Sequence, residues 1–175
     1  MSYEDSLNNF IKKYVDEHEI VKGNDKKMMR FYPVNKQYRI AATFERKDNS
    51  EWFLMPTSGV IKKEYRVFGT ISFLINDTAV KLNVYQSKQL MASKEYFDYL
   101  FIPFTDKTSG FDTYGGGRYL DLKMTDIKGS QYSIDFNRAY NPYCAYTTGY
   151  NCPIPPKEND LPVAVMAGEK SYAGH

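Results

Sequence analysis

The sequence predicts an α+β protein, mainly β, in which an N-terminal helix packs on a curved antiparallel sheet, either a barrel or a two-sheet sandwich. Three observations carry this reading. One stretch near the N-terminus has helical periodicity, most of the chain after it breaks into short segments of period two, and the two kinds do not alternate as βαβ units require. The 175 residues suit a single domain, with a helical segment over 1–23 belonging to a mainly-β body over 24–175. An aromatic share of 16%, with 16 Tyr and 11 Phe against one Trp, favours half-buried pleated surfaces.

The helix is expected over 4–19. Leu7, Phe10, Ile11, Tyr14, Val15 and His18 form one stripe of a 3.6-residue period, Ser2 or Asp5 can cap it, and Gly23 lies just beyond. Seven strands follow: RIAATFER (39–46), EWFLM (51–55), YRVFGTISFLI (65–75), AVKLNVYQ (79–86), YLFIPF (99–104), RYLDLKM (118–124) and QYSIDFNR (131–138). Tyr65, Val67, Gly69, Ile71, Phe73 and Ile75 are assigned to one face, and Asn76-Asp77 turns the chain into a hairpin. Lys128-Gly129 is read as the turn of a second hairpin, joining the last two strands. Residues 87–99 have room for a helical turn, and LPVAVMAGEK (161–170) reads as a final strand.

Composition removes several function classes. The net charge is +2, from 23 basic and 21 acidic residues, and no dense Lys/Arg cluster exists to neutralise phosphates. Nucleic acid and membrane are therefore not expected partners, and no homo-oligomer is indicated. No apolar run has the length of a spanning helix, and the start MSYEDSLNNF lacks the apolar core of a signal peptide, so a cytoplasmic protein is expected unless a leader has been removed.

The residues that do not look like scaffold concentrate near the C-terminus. FTDKTSGFDTYGGGRYLDL (104–122) contains Gly115 to Gly117, followed by Arg118 on the face shared by Leu120 and Leu122. A buried guanidinium needs an acceptor. Either it pairs internally with Asp106, Asp112, Asp135 or Glu169, or it holds an anion. The run is not a phosphate loop, because it lacks the Lys-Ser/Thr ending and opens onto a strand. DFNRAYNPYCAYTTGYNCPIPPKEN (135–159) then sets Asp135, Asn137 and Asn141 among tyrosines, and five of the eight prolines lie between Pro142 and Pro162.

Cys144 and Cys152, with no His placed near them, are too few for a zinc site and are read as buried small hydrophobes in preference to a disulfide or a nucleophile. No metal and no cofactor is implied. Nor does any Ser–His–Asp set or paired carboxylate stand out by spacing.

The runs YGGGRYLDL, DFNRAYNPYCAY, NCPIPPKEN and AGE resemble a family of bacterial and archaeal proteins catalogued only as a domain of unknown function. The resemblance is close in the C-terminal half and looser from Tyr65 onward. It implies no activity. From the residues themselves, the expected function is binding of a small anionic molecule, with Arg118 fixing the anion. Asp106, Asp135, Asn137, Asn141 and Glu169 would add polar contacts, and Tyr114, Tyr119 and Tyr140 flat walls. The alternatives are a hydrolase using carboxylates or Cys144, and a structural or protein-interaction module.

Overall fold

A computed structural model describes residues 1–175. The N-terminal helix, α1, spans Tyr3–Asp16, with the Ser2 hydroxyl capping the Asp5 amide and Glu4 and Asp5 in its first turn. It is shorter at its C-terminal end than the periodicity suggests. His18 lies beyond it, buried, its Nδ1 accepting the amides of Ile20 and Val21 and so turning the chain out of the helix.

Seven strands follow: β1 (Arg39–Arg46), β2 (Phe53–Met55), β3 (Lys63–Ile75), β4 (Thr78–Ser87), β5 (Tyr99–Phe104), β6 (Arg118–Lys123) and β7 (Gln131–Asp135), with a four-residue helix α2 (Lys88–Met91) after β4. They form one antiparallel sheet in the order β6-β5-β4-β3-β1-β7, with β2 on the N-terminal half of β3. The sheet curls into a half-barrel, neither closed nor split in two, because β6 and β7 end the order unpaired with one another. The β3–β4 hairpin turns at Asn76 and Asp77, both at positive φ as a tight hairpin loop requires.

The second expected hairpin does not form. β6 pairs with β5 and β7 with β1. A 3-10 turn at Met124–Asp126, held by the Asp126 carboxylate on the Lys123 amide, turns the chain away from β6. Only then does the Lys128–Gln131 turn begin.

A bulge in β3 also corrects the face assignment. Val67 pairs with Tyr85 and Gly69 with Val84, so Phe68 is the extra residue and the alternation changes phase there. Ile71, Phe73 and Ile75 face the concave core with Phe68, whereas Tyr65 and Val67 join Met55, Tyr85, Phe101 and Tyr119 in a second, outer cluster.

The concave side is filled by the chain itself. Leu161, Val163, Val165 and Ala167 are buried alternately and enter the main core beside Leu100, Ile102, Phe104, Leu120 and Phe136. This segment is not the expected final strand. Its spacing is that of a strand, but only its start is paired, the Leu161 amide donating to the Thr105 carbonyl and the Lys107 amide to the Val163 carbonyl just past β5. The rest crosses the interior as an extended strap. Burial of each large strap side chain contributes about 1.5–3 kcal/mol. No helix is long and apolar enough to cross a membrane.

At the end of the strap Gly168 has φ +81°, and a Cβ there would come within 2.7 Å of the Phe136 carbonyl and 2.8 Å of the Ala139 carbonyl. Gly168→Ala combines backbone strain with a clash against backbone atoms. Urea denaturation should show a loss of about 2–4 kcal/mol.

Candidate functional site

The residues singled out in the sequence divide among separate places. Arg118, at the start of β6, is fully buried against the strap. Its Nη1 donates to the carbonyls of Ala167 (2.5 Å) and Glu169 (3.3 Å), and its Nη2 to the Val165 carbonyl (2.9 Å). Nη2 also lies 3.4 Å from Asp106 Oδ1, and the guanidinium sits over the Phe104 ring. The anion-fixing role expected for Arg118 therefore finds no open face, since protein carbonyls take its place. Burial lowers its pKa and the Asp106 charge opposes that shift. Asp106 Oδ2 accepts from the Val165 amide (2.7 Å) and from the amide and hydroxyl of Thr108.

Glu169, the last strap residue, is also fully buried. Its Oε1 accepts from Tyr14 (2.8 Å) and from the Asn141 amide (3.0 Å), and its Oε2 from Tyr146. Asn141 Nδ2 donates to the Lys170 carbonyl. Burial pushes the Glu169 carboxyl up to about 7, and the hydrogen bonds from Tyr146, Asn141 and Tyr14 hold it back. Arg118, Asp106, Glu169 and Asn141 thus meet, but in a closed interior.

The remaining candidates lie apart from that group. Tyr114 packs with Val21, Met29, Ala145 and Tyr146. Tyr119 donates to the Pro153 carbonyl, and its backbone pairs with that of Tyr140. The Tyr140 hydroxyl donates to Asp121. Asn137 is buried, with its amide bonded to both backbone groups of Asn35.

Of the expected site residues, only Asp135 lines a sizeable opening. This cleft, of about 990 Å³, lies where β6 and β7 remain unpaired. The N-terminal end of α1 supplies Tyr3 and Ser6, β1 supplies Arg39 and Thr43, β6 supplies Leu120 and Asp121, and β7 supplies Tyr132, Ser133 and Asp135. Asp126, Lys128 and Arg138 complete it.

Its two signs of charge are differently engaged. Asp135 accepts from the Tyr3 hydroxyl (2.6 Å) and from the amide and side chain of Asn137. Asp121 accepts from Tyr99 (2.8 Å) and Tyr140 (2.6 Å), and Asp126 from the Lys123 amide (2.8 Å). Arg39, Lys128 and Arg138 form no ion pair. Arg39 lies over the Tyr3 ring and Arg138 over Phe10, which orients each guanidinium without occupying its donors. Burial pushes the Asp121 carboxyl up, against the two tyrosine hydroxyls.

Sequence reasoning missed these three cations because each alone reads as solvated surface. The available signal was register: Arg39 stands directly opposite Asp135 once β1 and β7 pair.

Cys144 and Cys152 form a disulfide, Cα atoms 6.4 Å apart, which corrects their reading as free buried thiols. The proline-rich path brings them together, and Ser58 braces the loop by accepting the Cys152 amide and donating to the Tyr150 carbonyl. Bonded in this way, Cys144 has no thiolate to act as a nucleophile. No cluster of three or more His, Cys, Asp or Glu side chains is placed to hold a metal.

The family model described as "Protein of unknown function (DUF1684)" matches residues 26–170. Among solved structures, the chain is similar to the solution NMR structure of the uncharacterized protein from gene locus rrnAC0354 of Haloarcula marismortui. The identity is 29%, the TM-score 0.72, and the match covers 96% of this chain and 94% of that one. No curated protein matches at a significant level.

The Glu169 cluster gives a signed pH effect. A carboxyl raised from 4.5 to about 7 on folding keeps its proton in the folded state while the unfolded state has lost it. Stability is therefore lost as pH rises between those values, by an amount on the order of 3 kcal/mol. Denaturation across that range should show wild type losing stability relative to Glu169→Gln as pH increases, with the difference levelling off above neutrality.

Proposed function

The chain belongs to the DUF1684 family of proteins of unknown function, and from its cleft we propose that it binds a small anionic molecule between the ends of the sheet. One observation carries this reading. Arg39, Lys128 and Arg138 line the cleft with unused donors, whereas the carboxylates beside them are engaged by neutral donors. A ligand carboxylate or phosphate would supply the acceptors these cations lack. Tyr3 and Tyr132 add flat walls with polar tips. The binding role first assigned to Arg118 passes to these three residues, and of the original set Asp135 remains at the site.

The Cys144–Cys152 bridge favours an oxidising compartment over the expected cytoplasm, because such bonds are rarely retained among reducing thiols. Native protein purified without reductant should take up no iodoacetamide, and should take up label at both cysteines only after reduction. Labelling of the unreduced native protein would remove this argument.

The binding reading is tested by thermal unfolding and calorimetry with di- and tricarboxylates and sugar phosphates. At a hundredfold excess over Kd, a true ligand should raise Tm by about 5 °C or more. The double variant Arg39→Glu/Arg138→Glu should lose that shift while keeping its own melting transition. If neither class of anion raises Tm, the reading fails.

A further inference from the structure

We propose that the anion taken by this cleft is carried on an extended acidic peptide segment, which pairs with β7 as an added strand. The proposal rests on the anion-binding reading and specifies its ligand.

The backbone of β7 supports it. The Phe44 amide donates to the Ser130 carbonyl at 2.7 Å. In the antiparallel register this makes Ala42–Tyr132 and Ile40–Ile134 the hydrogen-bonded pairs, so the N–H and C=O of Ser133 and Asp135 point away from β1. β7 is the last strand of the sheet; the Asp135 carbonyl closes the first turn of the 3-10 helix Phe136–Arg138, and no strand, loop or side chain takes the other three groups. Gln131 has the same phase, but its amide and carbonyl are occupied by the Lys128 turn. The free edge therefore begins at Ser133, which is exposed and lines the cleft.

The opposite wall is less suited to receive a strand. On β6, Tyr119 is bonded to Tyr140 and the Lys123 amide to Asp126, leaving only Asp121 open between them. β7 carries no proline or bulge, devices that commonly guard an edge.

Charge and polarity select the peptide. Arg39 shares a face with Ser133 and Asp135, and Lys128 and Arg138 flank the two ends of β7. Leu120 and Tyr132 belong to the apolar, inward side of the cleft. A strand laid on this edge would meet Arg39 on one face, beside the Asp135 carboxylate already engaged by Tyr3 and Asn137. Lys128 and Arg138 would lie at its ends and apolar groups on its other face. Alternating acidic and apolar residues therefore fit it, with main-chain hydrogen bonds supplying affinity and the alternation supplying specificity.

The probe is a short capped peptide of alternating Glu and Val, followed by fluorescence anisotropy and calorimetry on the full chain. It should bind, with affinity falling as salt rises. Ser133→Pro removes the outward amide without touching the β1–β7 bonds and should weaken binding about tenfold or more. N-methylation of the peptide on its pairing edge should weaken it similarly with wild-type protein, and this arm decides the matter if Ser133→Pro does not fold. Unchanged affinity after N-methylation, or in a folded Ser133→Pro protein, overturns the strand. If citrate stabilises the protein and the peptide does not bind, the strand falls and the anion reading stands. If neither binds, both fall.

Discussion

Arg118 and the strap carbonyls it binds are the interaction on which the rest of this structure depends. A curled sheet that does not close leaves a concave core to be filled, and here an extended backbone fills it. Paired to neighbouring backbone at Leu161–Val163 and again at Gly168–Glu169, this segment carries the amide and carbonyl groups in between through an apolar interior with no adjacent strand to take them. Leaving one unpaired costs about 1–3 kcal/mol. One guanidinium satisfies the carbonyls of Val165, Ala167 and Glu169, and Asp106, its ion-pair partner, accepts the Val165 amide. Charge and backbone are neutralised by the same few atoms.

The polar residues of the C-terminal half repeat this device. Asn159 accepts the Asn83 amide and donates to the carbonyls of Asn83 and Pro103, standing in for a peptide group where β4 and β5 share only a single register pair. Asn137 does the same for Asn35, and the Glu169 carboxylate receives the Asn141 amide. Much of the motif-like sequence is thus explained by backbone that must be buried. The proposed binding site lies instead on the strands that the strap does not cover, at the gap between β6 and β7.

Much of the fold was legible from residues close together in the chain. Period-two patterning located all seven strands, β1 and β5 to the residue, and Asn76-Asp77 announced its hairpin. The bulge at Phe68 was hidden because its signal is a change of phase, and Val67 and Gly69 look equally at home on one face. The second hairpin failed because a local turn at Gly129 does not say which earlier strand the next one will meet. Asp135 was legible as a polar residue among aromatics, whereas Arg39, Lys128 and Arg138 become a group only through pairings across the whole chain. The strap looked like a strand because burial, not pairing, sets its alternation.

The strap also places a constraint on synthesis. Its anchors follow all seven strands in the chain, so a nascent chain can assemble the strands before anything exists to occupy their hollow. Until residues 161–169 leave the ribosome, Arg118 lacks its carbonyl partners and the concave face lies open to water. Filling the hollow then waits on closing contacts of long sequence separation, such as Arg118 on the Val165 carbonyl. Loss of the strap would leave a hollow shell of paired strands in which Arg118 keeps Asp106 but loses its three carbonyl acceptors, the kind of species that quality-control proteases recognise.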